Sequence, residues 1–403
     1  MATKKRKNGE GSWGKKKIKG IEYVTYEKTY DELDKRKTFY GKTAKEVKEK
    51  VAKFEAMNHL LPKKDIENQV FGDYIYTWLH GVKKGTVSDS TFDRAETTFN
   101  NLIKEYDVAT CKMKNLTGTI LQNHIKLLAK DYAKSTIDKV YFMFSQVISY
   151  AVKNKDISYN IMLDVKNASE TEVANKKREV TFLTMEEVNK LFEECNRVNV
   201  KGHMVRGKEG ERVYGNNAYA IILMVYTGIR VGELRALKWK SVDFEDKMIY
   251  ISESVSTVKN RDNKSSKKTV DIVKKPKTEA SIRPVPLADR AIYALKEMEK
   301  QNPNHKPDDF VFANTTGDGV SQSKIGRTLS NMLVRANLPK CTVHGLRHTY
   351  GSMLINEDEK NIAIVSSILG HEDIGVTYKI YTHILKKKKL DTIEILNKHH
   401  SNG

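Results

Sequence analysis

Long apolar runs are missing from this 403-residue chain. The longest, Ala218–Tyr226, has nine residues, against the roughly 20 that a helical membrane span needs, so an integral membrane protein is excluded. The opening MATKKRKNGEGS carries charge with no apolar stretch behind it, so no secretory leader is expected. Cysteine is scarce. Cys111, Cys195 and Cys341 lie 84 and 146 residues apart, which gives neither a CxxC metal pair nor a disulfide framework and fits a reducing, cytoplasmic setting. GxxxxGKS, GxSxG, HExxH and any Cys/His cluster are also absent. Neither ATP nor zinc is therefore expected, and no cofactor or metal is assigned.

What is abundant is positive charge. Lys plus Arg number 71 against 51 Asp plus Glu, a net charge of +20 and a pI near 9.5. Such a field attracts polyanions, and nucleic acid is the polyanion that suits a chain of this size. A lysine-rich but merely solvated surface is the plain alternative.

The charge is uneven. Residues 1–60 hold 17 Lys/Arg against 9 Asp/Glu, a net of +8. After a basic head, the stretch from Ile18 to Tyr40 reads as a small sheet: Ile21, Tyr23 and Thr25 alternate with Glu22, Val24 and Tyr26, and Asp31–Asp34 interrupt it. Thr43-Ala-Lys-Glu caps a predicted helix to about Asn58 with Val47, Val51 and Phe54 on one face. Pro62 opens a polar linker. From Val70 to Lys166 the apolar period is helical, as in Phe71, Tyr74, Ile75, Trp78 and Leu79, which predicts an independent all-α domain. Polar Asn167–Glu179 reads as a second linker. Thr184-Met-Glu-Glu then caps the first helix of a larger domain. This domain is mostly helical, with strands predicted in Met248–Leu287 on either side of the polar loop Lys259–Lys268. The fold class is thus multidomain and mainly α with small β-sheets, divided at 1–62, 68–167 and 180–395.

Four segments carry side chains able to act on phosphorus. Thr227-Gly-Ile-Arg230-Val-Gly-Glu233-Leu follows the apolar helix, so Gly228 is expected to end one helix and Val231 to begin another. An arginine at that junction can aim its planar fork at a phosphate, and Glu233 can orient it. Lys277, in Pro-Lys-Thr-Glu, can protonate a leaving oxygen. His344 and Arg347, at i and i+3, share one helix face. Leu369-Gly-His371 precedes Tyr378 and Tyr381, and a tyrosine hydroxyl can attack phosphorus to form a phosphotyrosyl ester. Each segment alone has a bland reading: a turn arginine, one lysine among many, a chance HxxR, a core aromatic.

In order and in company they resemble the tyrosine recombinases, the lambda-type integrases. The matching stretches are TGIRVGELRALKW, PKTEASIRPVPL, HGLRHTYGSMLI and LGHEDIGVTYKIYTH, which cover roughly residues 180–385. The resemblance implies that Arg230 and Arg347 clamp the scissile phosphate and that Lys277 protonates the departing 5′ oxygen. It implies that His344 and His371 hold the phosphate or help deprotonate and place the nucleophile, and that Tyr381 becomes joined to the 3′ phosphate. Tyr381 lies ten residues after Leu369-Gly-His and Tyr378 seven; the family spacing favours Tyr381. By the same resemblance the 68–167 block is a core-binding domain, the first 62 residues are an arm-binding domain, and the third part is an α+β catalytic domain. The implied partners are double-stranded DNA at core and arm sites, further copies of the chain in a tetramer on DNA, and excision or host DNA-bending factors, with no membrane. Two rivals are a type IB topoisomerase-like enzyme, disfavoured by the separate basic N-terminal part, and a non-catalytic DNA-binding protein.

Overall fold

The computed structural model describes residues 11–18, 20–30, 35–57, 66–174, 182–198, 213–261, 267–276, 278–314, 317–357, 362–378 and 381. The chain divides into two compact units, Met1–Lys177 and Arg178–Gly403. Among the described residues no helix is long and apolar enough to cross a membrane.

In the first unit, β1 (Ser12–Ile18), β2 (Ile21–Tyr30) and β3 (Lys35–Gly41) form an antiparallel sheet in chain order. The sheet begins six residues earlier than the sequence pattern predicts. β1 is almost wholly exposed, so no hydrophobic alternation marks it. Its register against β2, from Ser12 opposite Glu27 to Ile18 opposite Ile21, holds it by ladder hydrogen bonds, with Trp13 against Tyr26 at 4.8 Å between ring centroids. The predicted helix is present as α1 (Ala44–Met57). The Thr43 hydroxyl accepts from the Glu46 N–H at 3.2 Å, and the Glu46 carboxylate accepts from the Lys42 N–H at 2.8 Å. Val47, Val51 and Phe54 pack on Tyr30 and Phe39. The predicted break at Asp31–Asp34 lies outside the described residues.

The same unit contains α2 (Phe71–Trp78), continued by a π-helical turn at Leu79–Lys83, then α3 (Asp89–Leu102), α4 (Asp107–Thr110), α5 (Gly118–Ala129) and α6 (Lys134–Lys153). The i, i+3, i+4 pattern buries Phe71, Ile75, Leu79, Leu121, Ile125 and Phe144 in one core. Ala168 and Val173 join that core, and the Ala174 N–H donates to the Ala129 carbonyl at 3.0 Å. The first part of the segment read as a linker therefore packs on the helices, because two small apolar side chains sit among its polar ones.

The second unit opens with α7 (Met185–Cys195), whose Thr184–Glu187 capping box forms as predicted. α8 (Asn216–Thr227) is apolar on every side and buried from Ala218 to Val225, the mark of a central helix. It is followed by α9 (Val231–Ala236), β4 (Val242–Asp243), β5 (Met248–Ile251), β6 (Ser254–Lys259), β7 (Thr269–Lys274), β8 (Arg283–Pro286), α10 (Asp289–Gln301), α11 (Gln322–Arg335), α12 (Val343–Glu357) and α13 (Ile362–Leu369). α10, α11 and α12 pack around α8. The predicted strand region divides into two sheets, β4-β5-β8 and the hairpin β6-β7. Ser252 and Glu253 separate β5 from β6, and the 3-10 turn Glu279–Ser281 separates β7 from β8.

Candidate active site

Gly228 ends α8 in the left-handed conformation, φ +65°, as the sequence predicts. A Cβ there would also overlap Tyr350 and Leu369, so only glycine lets α8, α12 and α13 meet at this point. Two residues later Arg230 stands at the N-cap of α9. Glu233 reaches back to it: one carboxylate oxygen accepts from the Arg230 backbone N–H and the other from its guanidinium, both at 2.8 Å.

Glu233 is 3% exposed and has a second cationic partner. Arg283 of β8 donates both terminal nitrogens to it, at 3.2 and 3.0 Å. Burial alone would raise the Glu233 carboxyl; the hydrogen bonds and charge of Arg283, then those of Arg230, outweigh it and hold the group below its ordinary range. Arg283 is a site residue that the sequence reading passed over. The available signal was an arginine alternating with Val285 on the inward side of a strand, which calls for a buried acid.

The arginines then converge on one place, the C-terminal end of α13. Arg283 donates to the Ile368 carbonyl, Arg347 to the Leu369 carbonyl, and Arg230 to the Gly370 carbonyl at 3.1 Å. Arg347 also donates to the Gly228 carbonyl at 2.8 Å. Carbonyls at a helix C-terminus lack partners within the helix and carry its negative end, so cations settle there. Arg347 is 2% exposed. Burial, then the charge of Arg230, pushes its guanidinium down to about 9, still charged at neutral pH. Arg230 keeps 37% of its side chain open to solvent. The result is a partly open concentration of positive charge, mounted on backbone carbonyls and one carboxylate.

Three histidines surround it. His344 lies exposed at the start of α12, and partial desolvation followed by the charges of Arg347 and Arg230 lowers it. His348, one turn on, meets His344 edge to face at 4.7 Å. Burial, then His344 and Arg347, pushes it down to about 4. His371 pairs through Nδ1 with the Thr377 hydroxyl at 2.8 Å. Burial, then Arg347 and Arg230, pushes it also to about 4. All three are thus shifted toward the neutral form, first by burial and then by their cationic neighbours.

Tyr381 is 1% exposed. Its ring meets that of His348 at 6.5 Å, and it packs with Tyr350, Ile355 and Leu369. Burial pushes its hydroxyl up to about 12, against a lowering by Arg347. Tyr378, the other tyrosine weighed from sequence, is 48% exposed on the helical turn 374–378. Arg230, His344, Arg347 and His371, drawn from three separated segments, thus gather about one charged point, and Tyr381 adjoins it through Arg347 and His348. Lys277 lies outside the described residues, as does the tail beyond Tyr381. Among the described residues no group of three or more His, Cys, Asp or Glu side chains is placed to hold a metal ion.

Residues 181–388 match the phage integrase family. A tyrosine recombinase XerC-like protein of Caldanaerobacter subterraneus subsp. tengcongensis is 30% identical over 383 residues, 90% of this chain and 91% of its own. The integrase of Staphylococcus phage L54a is 25% identical over 352 residues, 83% of this chain and 94% of its own. Among solved structures, the integrase of transposon Tn1549 in complex with a circular intermediate DNA superposes with a TM-score of 0.62 at 19% identity, over 80% of this chain and 99% of that one.

Proposed function

This chain belongs to the phage integrase family, the tyrosine recombinases, and from that premise we propose how its second unit cuts and rejoins DNA. The family activity is site-specific recombination, in which a mobile element is integrated and excised through a 3′-phosphotyrosyl intermediate. The observation that carries the residue assignment is the meeting of Arg230, Arg347, His344, His371 and Tyr381 around the end of α13. Arg230 and Arg347 take the non-bridging oxygens of the scissile phosphate. Two preorganised guanidiniums stabilise the charge that grows on a pentacoordinate phosphorus, so the cleavage step needs no metal. Tyr381 attacks, the 5′ oxygen leaves with a proton from Lys277, and His344 and His371 hold the phosphate and guide the tyrosine. The ester keeps the energy of the broken bond, so rejoining needs no ATP.

The DNA held by the structural neighbour supports double-stranded DNA as the substrate here. The basic sheet of the first unit is assigned to arm sites and the α2–α6 bundle to core sites. Strand exchange takes several active sites, which points to a tetramer on DNA, joined by excision or DNA-bending factors, in the cytoplasm where the DNA lies.

The test is a nicked duplex spanning the joined ends of the element that encodes the chain, incubated with protein in EDTA. The parent protein and Tyr378→Phe form a covalent adduct; Tyr381→Phe binds the duplex and forms none. Adducts from Tyr381→Phe, or an absolute demand for magnesium, would overturn the assignment.

A further inference from the structure

α12 carries a polar stripe that this chemistry does not fully use. His344, Arg347, His348, Gly351 and Ser352 stand at i, i+3, i+4, i+7 and i+8, which is one helix face. The first two belong to the phosphate clamp. His348 and Ser352 are buried, 9% and 1% exposed. Among the described residues, His348 Nδ1, Ser352 Oγ and the Tyr381 hydroxyl have no hydrogen-bond partner. Buried polar atoms are nearly always paired, and an unpaired one costs about 1–3 kcal/mol. One of the three belongs to the proposed nucleophile, one to the histidine whose ring meets it, and one to Ser352, a turn beyond that histidine on the same helix face.

Gly351 fixes where the hydroxyl lies. A Cβ on Gly351 would overlap the Tyr381 hydroxyl oxygen, so that oxygen rests directly on the helix backbone. Gly351 follows Arg347 by one turn on the same face, and it sits between His348, three residues before, and Ser352, one after. The oxygen therefore rests one turn along α12 from the residue whose guanidinium would hold the phosphate, with the His348 ring 6.5 Å from that of Tyr381 between centroids and Ser352 next to Gly351 in the chain.

We propose that His348, Gly351 and Ser352 form the seat of the Tyr381 hydroxyl, and that His348 is a catalytic residue that orients this oxygen and receives its proton during attack. The inference rests on the assignment of Tyr381 as nucleophile. The balance is simple. The tyrosine oxygen–phosphorus bond forms as the bond from phosphorus to the 5′ oxygen breaks. The tyrosine proton passes to the His348 imidazole, and the leaving oxygen takes its proton from Lys277. Rejoining returns both. The imidazole must be neutral to accept, and the burial and cationic neighbours of His348 keep it so. Ser352, able to donate and accept, keeps the oxygen aligned.

The test uses the full chain and the nicked duplex above, with DNA affinity, thermal midpoint and single-turnover adduct formation read together. His348→Phe is expected to bind DNA as the parent does and to form adduct about 10²–10⁴ times more slowly, the span of general acid–base assistance. His348→Asn, which keeps an acceptor near the former Nδ1, recovers part of the rate. Added imidazole accelerates His348→Ala and leaves His348→Phe unchanged. Parental rates from His348→Phe, or Asn and imidazole arms as slow as Phe, would leave His348 a packing residue and end the proposal. If His348→Phe does not fold, the Asn and imidazole arms decide. Tyr381→Phe runs beside them: adducts from it sink the nucleophile assignment itself, whereas an inert Tyr381→Phe beside a fully active His348→Phe sinks only the role of His348.

Discussion

The two ends of the site are built on opposite terms. At the arginine end every group is bonded: Glu233 holds Arg230 and Arg283, and three guanidiniums cap three successive carbonyls at the end of α13, those of Ile368, Leu369 and Gly370. At the tyrosine end the hydroxyl, the neighbouring imidazole nitrogen and a serine oxygen are buried and unpaired among the described residues. Under the proposed roles, the difference separates two demands of the reaction. Stabilising a phosphorane needs charge fixed beforehand, and a bonded network cannot shift without exposing a buried ion. A nucleophile has to move to phosphorus, and a hydroxyl without bonds to break moves cheaply.

The largest effect should come from breaking the fixed end. Glu233→Ala leaves Arg283 buried without its acid, which costs about 3–5 kcal/mol by the general behaviour of broken buried ion pairs. For a unit of this size that lowers the unfolding midpoint by roughly 10 °C, and cleavage goes with it. A midpoint within about 2 °C of the parent in calorimetry would mean that the carbonyls alone hold the arginines.

Next is Arg230→Lys. Arg230 is partly open, so the fold should survive, but the planar fork is lost. Loss of one preorganised donor costs about 10²–10³ in rate. Single-turnover cleavage should fall by that much at near-parental DNA affinity; a parental cleavage rate would remove Arg230 from the clamp.

At the mobile end, Gly351→Ala puts a methyl group where the Tyr381 oxygen rests. Overpacking of this kind costs about 1–3 kcal/mol, and a displaced reactive group about 10²-fold in rate at most. The expected outcome is slower adduct formation with the midpoint lowered less than in Glu233→Ala. Equal losses of stability in the two variants would erase the contrast between the ends.

The fixed end was the more legible in sequence. TGIRVGEL announces a helix break, an arginine at the next N-cap and an acid at i+3, and all three stand as read. Arg283 was missed because its stretch reads as a strand, and only the pleat reveals that the arginine points inward with Val285. At the mobile end Tyr381 followed from family spacing, but its company did not. His348, Gly351 and Ser352 look like ordinary helix residues until the tyrosine, 30 residues on from Gly351, is laid across them. β1 stayed hidden for another reason: its strand is made by pairing with β2 and leaves no apolar pattern.

The smallest effect within the working range concerns pH, and it again divides the ends. His348 and His371 are pushed down to about 4 by burial and by neighbouring cations. The unfolded chain, with ordinary histidines near 6.5, therefore binds more protons than the folded chain between about 4 and 6.5. Stability rises with pH wherever that holds, so this contribution is complete above about 6.5 and is lost as the pH falls toward 4. Glu233, held below its ordinary range by Arg283 and Arg230, adds its own loss only at still lower pH. The Tyr381 hydroxyl, pushed up to about 12 by burial, keeps its proton in the folded chain across the neutral range and disfavours folding only as the pH climbs past 10. Unfolding midpoints should accordingly stay level from about pH 9 to 6.5 and decline below. The groups facing His348 are His344 and Arg347 on α12, His371 after α13, and Tyr381 across from it. Replacing it by Phe should make the decline shallower without touching the level part. A variant whose midpoint falls as steeply as the parent's between pH 6.5 and 4 would show that His348 takes up its proton in the folded protein as readily as in the unfolded chain, and that neither burial nor its cationic neighbours set its charge.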